Sequence, residues 1–227
     1  MAETDLRPAG VSIGRALSIP SGLAYEPIRT VLSAVESVHG DGNLPPISVA
    51  LRSLGPFEGR FVVDPATGVP LRIVIDSETR ARLAMLHELG HFLDYAGIGV
   101  PNQYASHAAN LLKAWRRAIR STLAFEELDR MRENGFVELV RADGTREMVP
   151  VDVSYVEYLM HYNELWARSY AQFIAVRSGH PSLRADLDER RRRRHDRIYY
   201  PRFWDDHDFV VVDQAIERLY RRLRWIV

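Results

Sequence analysis

The chain has 227 residues, enough for one domain of generous size with a substantial buried core. Its 30 basic and 30 acidic residues cancel, so no global field favours nucleic acid or an anionic membrane, and the absence of cysteine leaves His, Asp and Glu to hold any metal. No apolar run nears the roughly 20 residues of a membrane span, and Met1–Gly10 lacks the layout of a signal peptide, so the expectation is a soluble protein, cytoplasmic as synthesised unless another system delivers it elsewhere.

Residues 1–24 mix Gly, Pro and Ser without periodicity and read as a tail or draped segment ahead of a single domain, 25–227. Tyr25–Val38 spaces Ile28, Val31, Leu32, Val35 and Val38 at helical intervals, and Gly40-Asp41-Gly42 ends that helix. Three short strands follow, Ile47–Leu54, Arg60–Asp64 and Leu71–Asp76, with Asp64-Pro65-Ala66-Thr67-Gly68 as the turn between the last two. Asp76 or Ser77 can cap a helix that reaches Tyr95 and stops at Gly97. Ser106–Glu133 reads as one long helix with Leu111, Leu112, Trp115, Ile119, Leu123 and Leu128 inward. Phe136–Arg141 and Arg146–Val153 alternate around Asp143-Gly144, a hairpin inserted near 136–153. Helices over Tyr155–Arg177, Ser182–Arg197 and Asp208–Trp225 complete the chain. A small, mainly antiparallel sheet, then a motif helix and a mainly helical C-terminal half, make an α+β fold.

The motif is His87-Glu88-Leu89-Gly90-His91. At about 100° and 1.5 Å per residue, His87 and His91 share one helical face about 6 Å apart, where two neutral imidazoles can grip one Zn²⁺. Glu88 lies beside them, within reach of a water at the metal. From Ala84 to Leu93 these three are the only residues able to carry charge, and a helix apolar on nearly every side must be buried. Buried histidines and a carboxylate must be satisfied, and a metal does so. Gly90 costs about 1 kcal/mol against alanine in mid-helix, which points to another backbone or a ligand passing close by. Lacking cysteine, the chain is unlike peptide deformylases, which carry the same five residues with a cysteine ligand.

Hydrolytic zinc usually takes three protein ligands and a water, so a third must come from elsewhere. The position six beyond His91 is Gly97, which rules out the extended histidine pattern. Asp94 shares the face of His87 but lies about 10 Å along the axis, better placed to support His91 than to bind metal. Glu164 is the stronger candidate: Ala167, Ala171 and Ala175 share its stripe and would let its helix approach the first closely. Glu157 and His161 share part of that face and remain rivals. Arg168 is expected inside, paired with a carboxylate such as Asp94 and orienting the ligands.

His87 to His91, the following Phe92-Leu93-Asp94-Tyr95, and Glu164-x-x-Ala167-Arg168 together resemble the glutamate-ligand zincin metallopeptidases. Within these, the likeness is greatest to lethal-factor-like and phage- or toxin-associated domains. The resemblance covers two helices. It implies one Zn²⁺ per chain at His87, His91 and Glu164, Glu88 as general base, and a peptide or protein as substrate. It also implies a tyrosine shortly before the third ligand to steady the oxyanion; Tyr158 fits, with Tyr155, His161 and Tyr162 as competitors.

Two weaker signals remain. Arg190–Arg194 is interleaved with Asp186, Asp188, Glu189 and Asp196, which reads as a helix laced with ion pairs rather than a phosphate site. Trp204-Asp205-Asp206-His207-Asp208 reads as an acidic turn capping the last helix. Two functions stand: a zinc metallopeptidase, or a non-catalytic zincin-fold protein using zinc structurally or as an interaction module. Glu88 separates them, since a structural ion has no use for a carboxylate beside its histidines.

Overall fold

The helix bearing the motif organises the molecule. In the computed structural model, residues 13–19, 26–40, 44–76, 81–140, 143–193, 195 and 198–226 are described. Helix α2 (Ala81–Phe92) is buried at every position except Arg82 and His87, as its lack of a polar face predicts. It continues into a π-helical turn, Leu93–Gly97. The segment that would cap its N-terminus, including Ser77, lies outside the described residues.

One side of α2 packs on a four-stranded sheet, and the other on α1 (Glu26–Val38) and α7 (Tyr162–Arg177). The strands are β1 (Leu17–Ser18), β2 (Ile47–Arg52), β3 (Gly59–Val63) and β4 (Pro70–Asp76), in the order β1-β2-β4-β3. Two of the three pairings, β1–β2 and β2–β4, are parallel, and only β3–β4 is antiparallel. The expectation of a mainly antiparallel sheet is therefore corrected. Ile73-Val74-Ile75 is a continuous apolar run buried throughout, the pattern of a strand covered on both faces, so β4 takes an inner place beside β2. The half-buried β3 is left at the edge, next to α2. Of the segment read as a tail, residues 13–19 join the fold: Ile13 and Leu17 are buried, and Leu17 pairs with Ile47.

The long helix expected over 106–133 is broken into α3 (Ala105–Ala108), a 3₁₀ turn (Asn110–Leu112), α4 (Lys113–Arg120) and α5 (Leu123–Asn134). Thr122 adopts an extended conformation and its hydroxyl accepts from the Phe125 amide, capping α5. That restart turns Leu123 outward, contrary to its expected place in the core. β5 (Phe136–Val140) and β6 (Arg146–Pro150) form the expected hairpin. Val137 and Val149 of this hairpin pack with Leu128, Met131, Val156 and Leu159 in a small second core.

The helix expected over 155–177 is also two: α6 (Val153–Met160) and α7, divided at His161, whose ψ of 135° is extended. Helices α8 (Pro181–Arg192) and α9 (Asp206–Leu223) follow, and Asp205 caps α9 by accepting from the Asp208 amide. The acidic turn thus serves as a cap, as expected. Among the described residues, no helix is long and apolar enough to cross a membrane.

Candidate metal centre

Close packing of α2 on α7 builds the site. A Cβ at Gly90 would stand 2.8 Å from Ala167 Cα and 3.2 Å from its carbonyl oxygen, so only glycine allows this approach. The Trp166 indole N–H donates to the Gly90 carbonyl at 3.0 Å across the same contact. Ala167, the first of the alanine stripe, thus meets Gly90 directly, as their spacing predicts.

This approach brings Glu164, in the first turn of α7, to the two imidazoles. His91 Nε2 lies 3.1 Å from His87 Nε2, and each Nε2 lies 3.3 Å from a Glu164 carboxylate oxygen. An ion bound tetrahedrally at about 2.0–2.1 Å separates its donors by about 3.3–3.4 Å. The two imidazole nitrogens and the carboxylate already stand near that spacing, with one carboxylate oxygen facing each ring. Among the described residues, His87, His91 and Glu164 form the group able to hold a metal ion. Glu157 and His161 are exposed and do not join it. Burial opposes ionisation of Glu164, but its hydrogen bonds to the two histidines outweigh that and hold its carboxyl far below the usual range. Burial likewise opposes charge on His91, and Glu164 reverses the balance, so its pKa is raised.

Glu88 is buried, and burial pushes its carboxyl up despite the two histidines. The Phe61 amide of β3 donates to it. Gly59 leaves the room: a Cβ there would stand 2.8 Å from Glu88 Cγ and Oε1. Neither contact was visible in the sequence, where Phe61 is merely part of a strand and Gly59 the residue before it.

Tyr158 reaches the site because of the break at His161. In an unbroken helix, positions 158 and 164 would point about 120° apart. With α6 ending at Met160, the Tyr158 hydroxyl instead hydrogen-bonds Glu164, and partial burial together with that carboxylate keeps the phenol protonated well above its ordinary pKa.

The two supporting residues take other roles than expected. Arg168 does not pair with Asp94. Its Nε donates to the Glu164 carbonyl at 3.2 Å, Nη1 to the Arg202 carbonyl at 2.8 Å, and Nη2 to the Leu159 carbonyl. A guanidinium inside the α6–α7 corner thus joins the Leu159 carbonyl at the end of α6 to the first turn of α7 and to Arg202, fixing the corner from which Tyr158 and Glu164 project. Burial lowers the Arg168 pKa to about 10, so the group stays charged. Asp94 accepts from the Ser106 amide at 2.7 Å and hydroxyl at 2.6 Å, tying the π-helical turn to α3. Burial, only partly offset by Ser106, raises its pKa to about 7. The buried His91 Nδ1 has no hydrogen-bond partner, so Asp94 does not orient that ring as expected.

A cavity of about 350 Å³ opens onto His87, Glu88, Tyr158 and Glu164. Its further wall includes Phe57, Tyr155 and the arginines 190, 193 and 202, none of which the motif points to. Among the described residues, the β5–β6 hairpin contributes nothing to this lining; α6 lies there instead. Of the arginine run, Arg190 and Arg193 pair with Glu58, and Arg191 with Asp188 and Asp206, while Arg194 lies outside the described residues. Compared with family models, curated proteins and solved structures, the chain matches none of them.

Proposed function

We propose that the chain is a zinc-dependent metallopeptidase of the zincin type, holding one Zn²⁺ through His87, His91 and Glu164. The observation that carries this reading is the pair of imidazole nitrogens 3.1 Å apart, each 3.3 Å from one oxygen of the buried Glu164 carboxylate, with the Glu88 carboxylate beside them on a solvent-open cavity. Two nitrogens and one oxygen leave a fourth tetrahedral position free, the composition of a catalytic rather than a closed structural zinc site.

Zinc held there would supply Lewis acidity and lower the pKa of a water from 15.7 to about 7. Glu88 takes a proton from the water as its oxygen bonds to the scissile carbonyl carbon, and delivers that proton to the amide nitrogen as the C–N bond breaks. The Phe61 amide and the space at Gly59 hold the Glu88 carboxylate in place for both transfers. Tyr158, protonated at neutral pH, donates to the oxyanion that forms on the carbonyl. The arginine within the corner, Arg168, positions Tyr158 and Glu164 without touching substrate.

Zinc-loaded protein incubated with a mixed peptide library, with products read by mass spectrometry, tests this reading. Glu88→Gln preserves shape but removes the base, so cleavage should fall by about 10²–10⁴ while zinc is retained. Equal cleavage by the variant would move the base elsewhere. Zinc binding without any cleavage by the wild type would favour an ion used for structure or interaction.

A further inference from the structure

We propose that the cavity carries a carboxylate-binding subsite on Arg193 and Arg202, which selects peptides bearing an acidic group near the scissile bond. The proposal rests on the peptidase reading of the same cavity. Four guanidiniums, from Arg168, Arg190, Arg193 and Arg202, line it against three carboxylates, Glu58, Glu88 and Glu164. Two of those carboxylates belong to the metal centre, and a divalent ion would make the interior more positive still. Among the described residues, the lining therefore carries more cations than anions.

The surplus can be located. Arg168 is occupied by three backbone carbonyls. Arg190, nearly buried, donates to one oxygen of Glu58. Arg193 donates to the other at 3.2 Å, with about half of its side chain open to solvent. One carboxylate thus serves two guanidiniums, and the outer one keeps donors to spare. Arg202, half-buried, also lines the cavity, and among the described residues its solvent-sealed Nη2 has no hydrogen-bond partner. It also lies close enough to Arg168 for the two like charges to repel. An incoming carboxylate would relieve that repulsion and take up the spare donors of Arg193.

Position ties the subsite to the reaction. Glu58 directly precedes Gly59, the residue against which Glu88 packs, so Arg190 and Arg193 stand beside the strand end that touches the base. On the other side, Arg202 is joined through Arg168 to the corner carrying Tyr158 and Glu164. Arg193 and Arg202 thus line the same cavity as His87, Glu88 and Glu164. A carboxylate can come from an Asp or Glu side chain or from the free C-terminus of a peptide.

Binding of labelled peptides to zinc-loaded Glu88→Gln protein, followed by fluorescence polarisation, tests this without requiring turnover. The probes are end-blocked peptides with Glu, Gln or Lys walked along the sequence, plus a neutral peptide with a free C-terminal carboxylate. The Glu peptide should bind at least about tenfold more tightly than its Gln twin at one register, and Arg193→Gln or Arg202→Gln should move that ratio towards one. Arg193, the more open of the two, keeps the test available if Arg202→Gln fails to fold. A gain by the free-carboxylate peptide alone would identify the chain end as the group read. Equal binding of the Glu and Gln peptides together with no gain by the free-carboxylate probe, no peptide binding at all, or a preference surviving both substitutions would overturn the subsite. Cleavage of the same peptides by wild-type protein separates the two claims. Cleavage indifferent to charge would retain the peptidase and remove the subsite, and charge-selective binding without cleavage would do the reverse.

Discussion

Gly90→Ala probes the spacing of the two ligand-bearing helices. The added Cβ would stand 2.8 Å from Ala167 Cα, 3.2 Å from its carbonyl oxygen and 3.2 Å from Tyr170 Cδ1, where ordinary contact begins at 3.4 Å. Backbone atoms cannot rotate away as a side chain can, so α2 and α7 must part by about half an ångström. Overpacking of this kind costs about 1–3 kcal/mol, and alanine returns about 1 kcal/mol of helix propensity, giving a net loss of about 0–2 kcal/mol. The effect on metal should be larger in proportion. Glu164 lies one turn before Ala167, and its oxygens, 3.3 Å from both imidazoles, move with the helix. Zinc affinity, measured by competition with a chromophoric chelator, should fall about tenfold or more. Gly97→Ala is the control, since its Cβ would press on Leu44 Cδ2 at 2.9 Å and Trp225 Cη2 at 3.2 Å, away from the α2–α7 contact. It should change unfolding in denaturant but not the zinc affinity. A Gly90→Ala protein with wild-type stability and wild-type zinc affinity would refute the reasoning.

Tyr158→Phe should retain zinc and lower kcat about a hundredfold with little change in KM; an unchanged kcat would remove the phenol from the reaction. Gly59→Ala forces a Cβ against the Glu88 side chain and should reduce turnover while leaving zinc bound, whereas loss of zinc would mean that β3 supports the ligands rather than the base. The last prediction concerns acid stability. His39 is buried, its Nδ1 2.6 Å from the Gly40 carbonyl and its Nε2 3.0 Å from the Tyr170 hydroxyl, and burial, only partly offset by Gly40, lowers its pKa from 6.5 to about 4. Below pH 6.5 the unfolded chain binds a proton that the folded chain refuses, so this contribution is intact above 6.5 and is lost as pH falls towards 4. The loss amounts to about 3 kcal/mol over the window. Denaturant melts of wild type and His39→Gln across that range should show a shallower pH dependence in the variant; parallel curves would count against a neutral buried His39.

The parts of the site that were legible in the sequence are those encoded by local spacing. His87, Glu88 and His91 declare themselves within one helical turn of an otherwise apolar helix, and Gly90 with the alanines at 167, 171 and 175 announces a close helix contact from both partners. What was hidden depends on where the chain changes direction. Strand order could not be read because β4 enters beside β2 only after β3 has been sent to the edge, a choice decided by burial on two faces. The break at His161 leaves no proline or glycine signal, yet it turns Tyr158 into the cavity and captures Arg168 at the carbonyls of the corner. Glu58 and Arg190 are far apart in sequence, so their pairing, and with it the basic wall of the cleft, arises only when α8 folds back on the sheet.

In the proposed site, His87, His91 and Glu164 together hold one catalytic zinc. Zinc content and affinity of the wild type beside Glu164→Ala test it most directly, with Glu157→Ala and His161→Ala as controls on the same corner. One tightly bound zinc per chain is expected in the wild type and both controls, with a strong loss in Glu164→Ala, where two imidazoles alone leave the tetrahedral site underfilled. A wild-type protein that folds fully and binds no zinc, or a Glu164→Ala protein that binds it as tightly as the wild type, would contradict it.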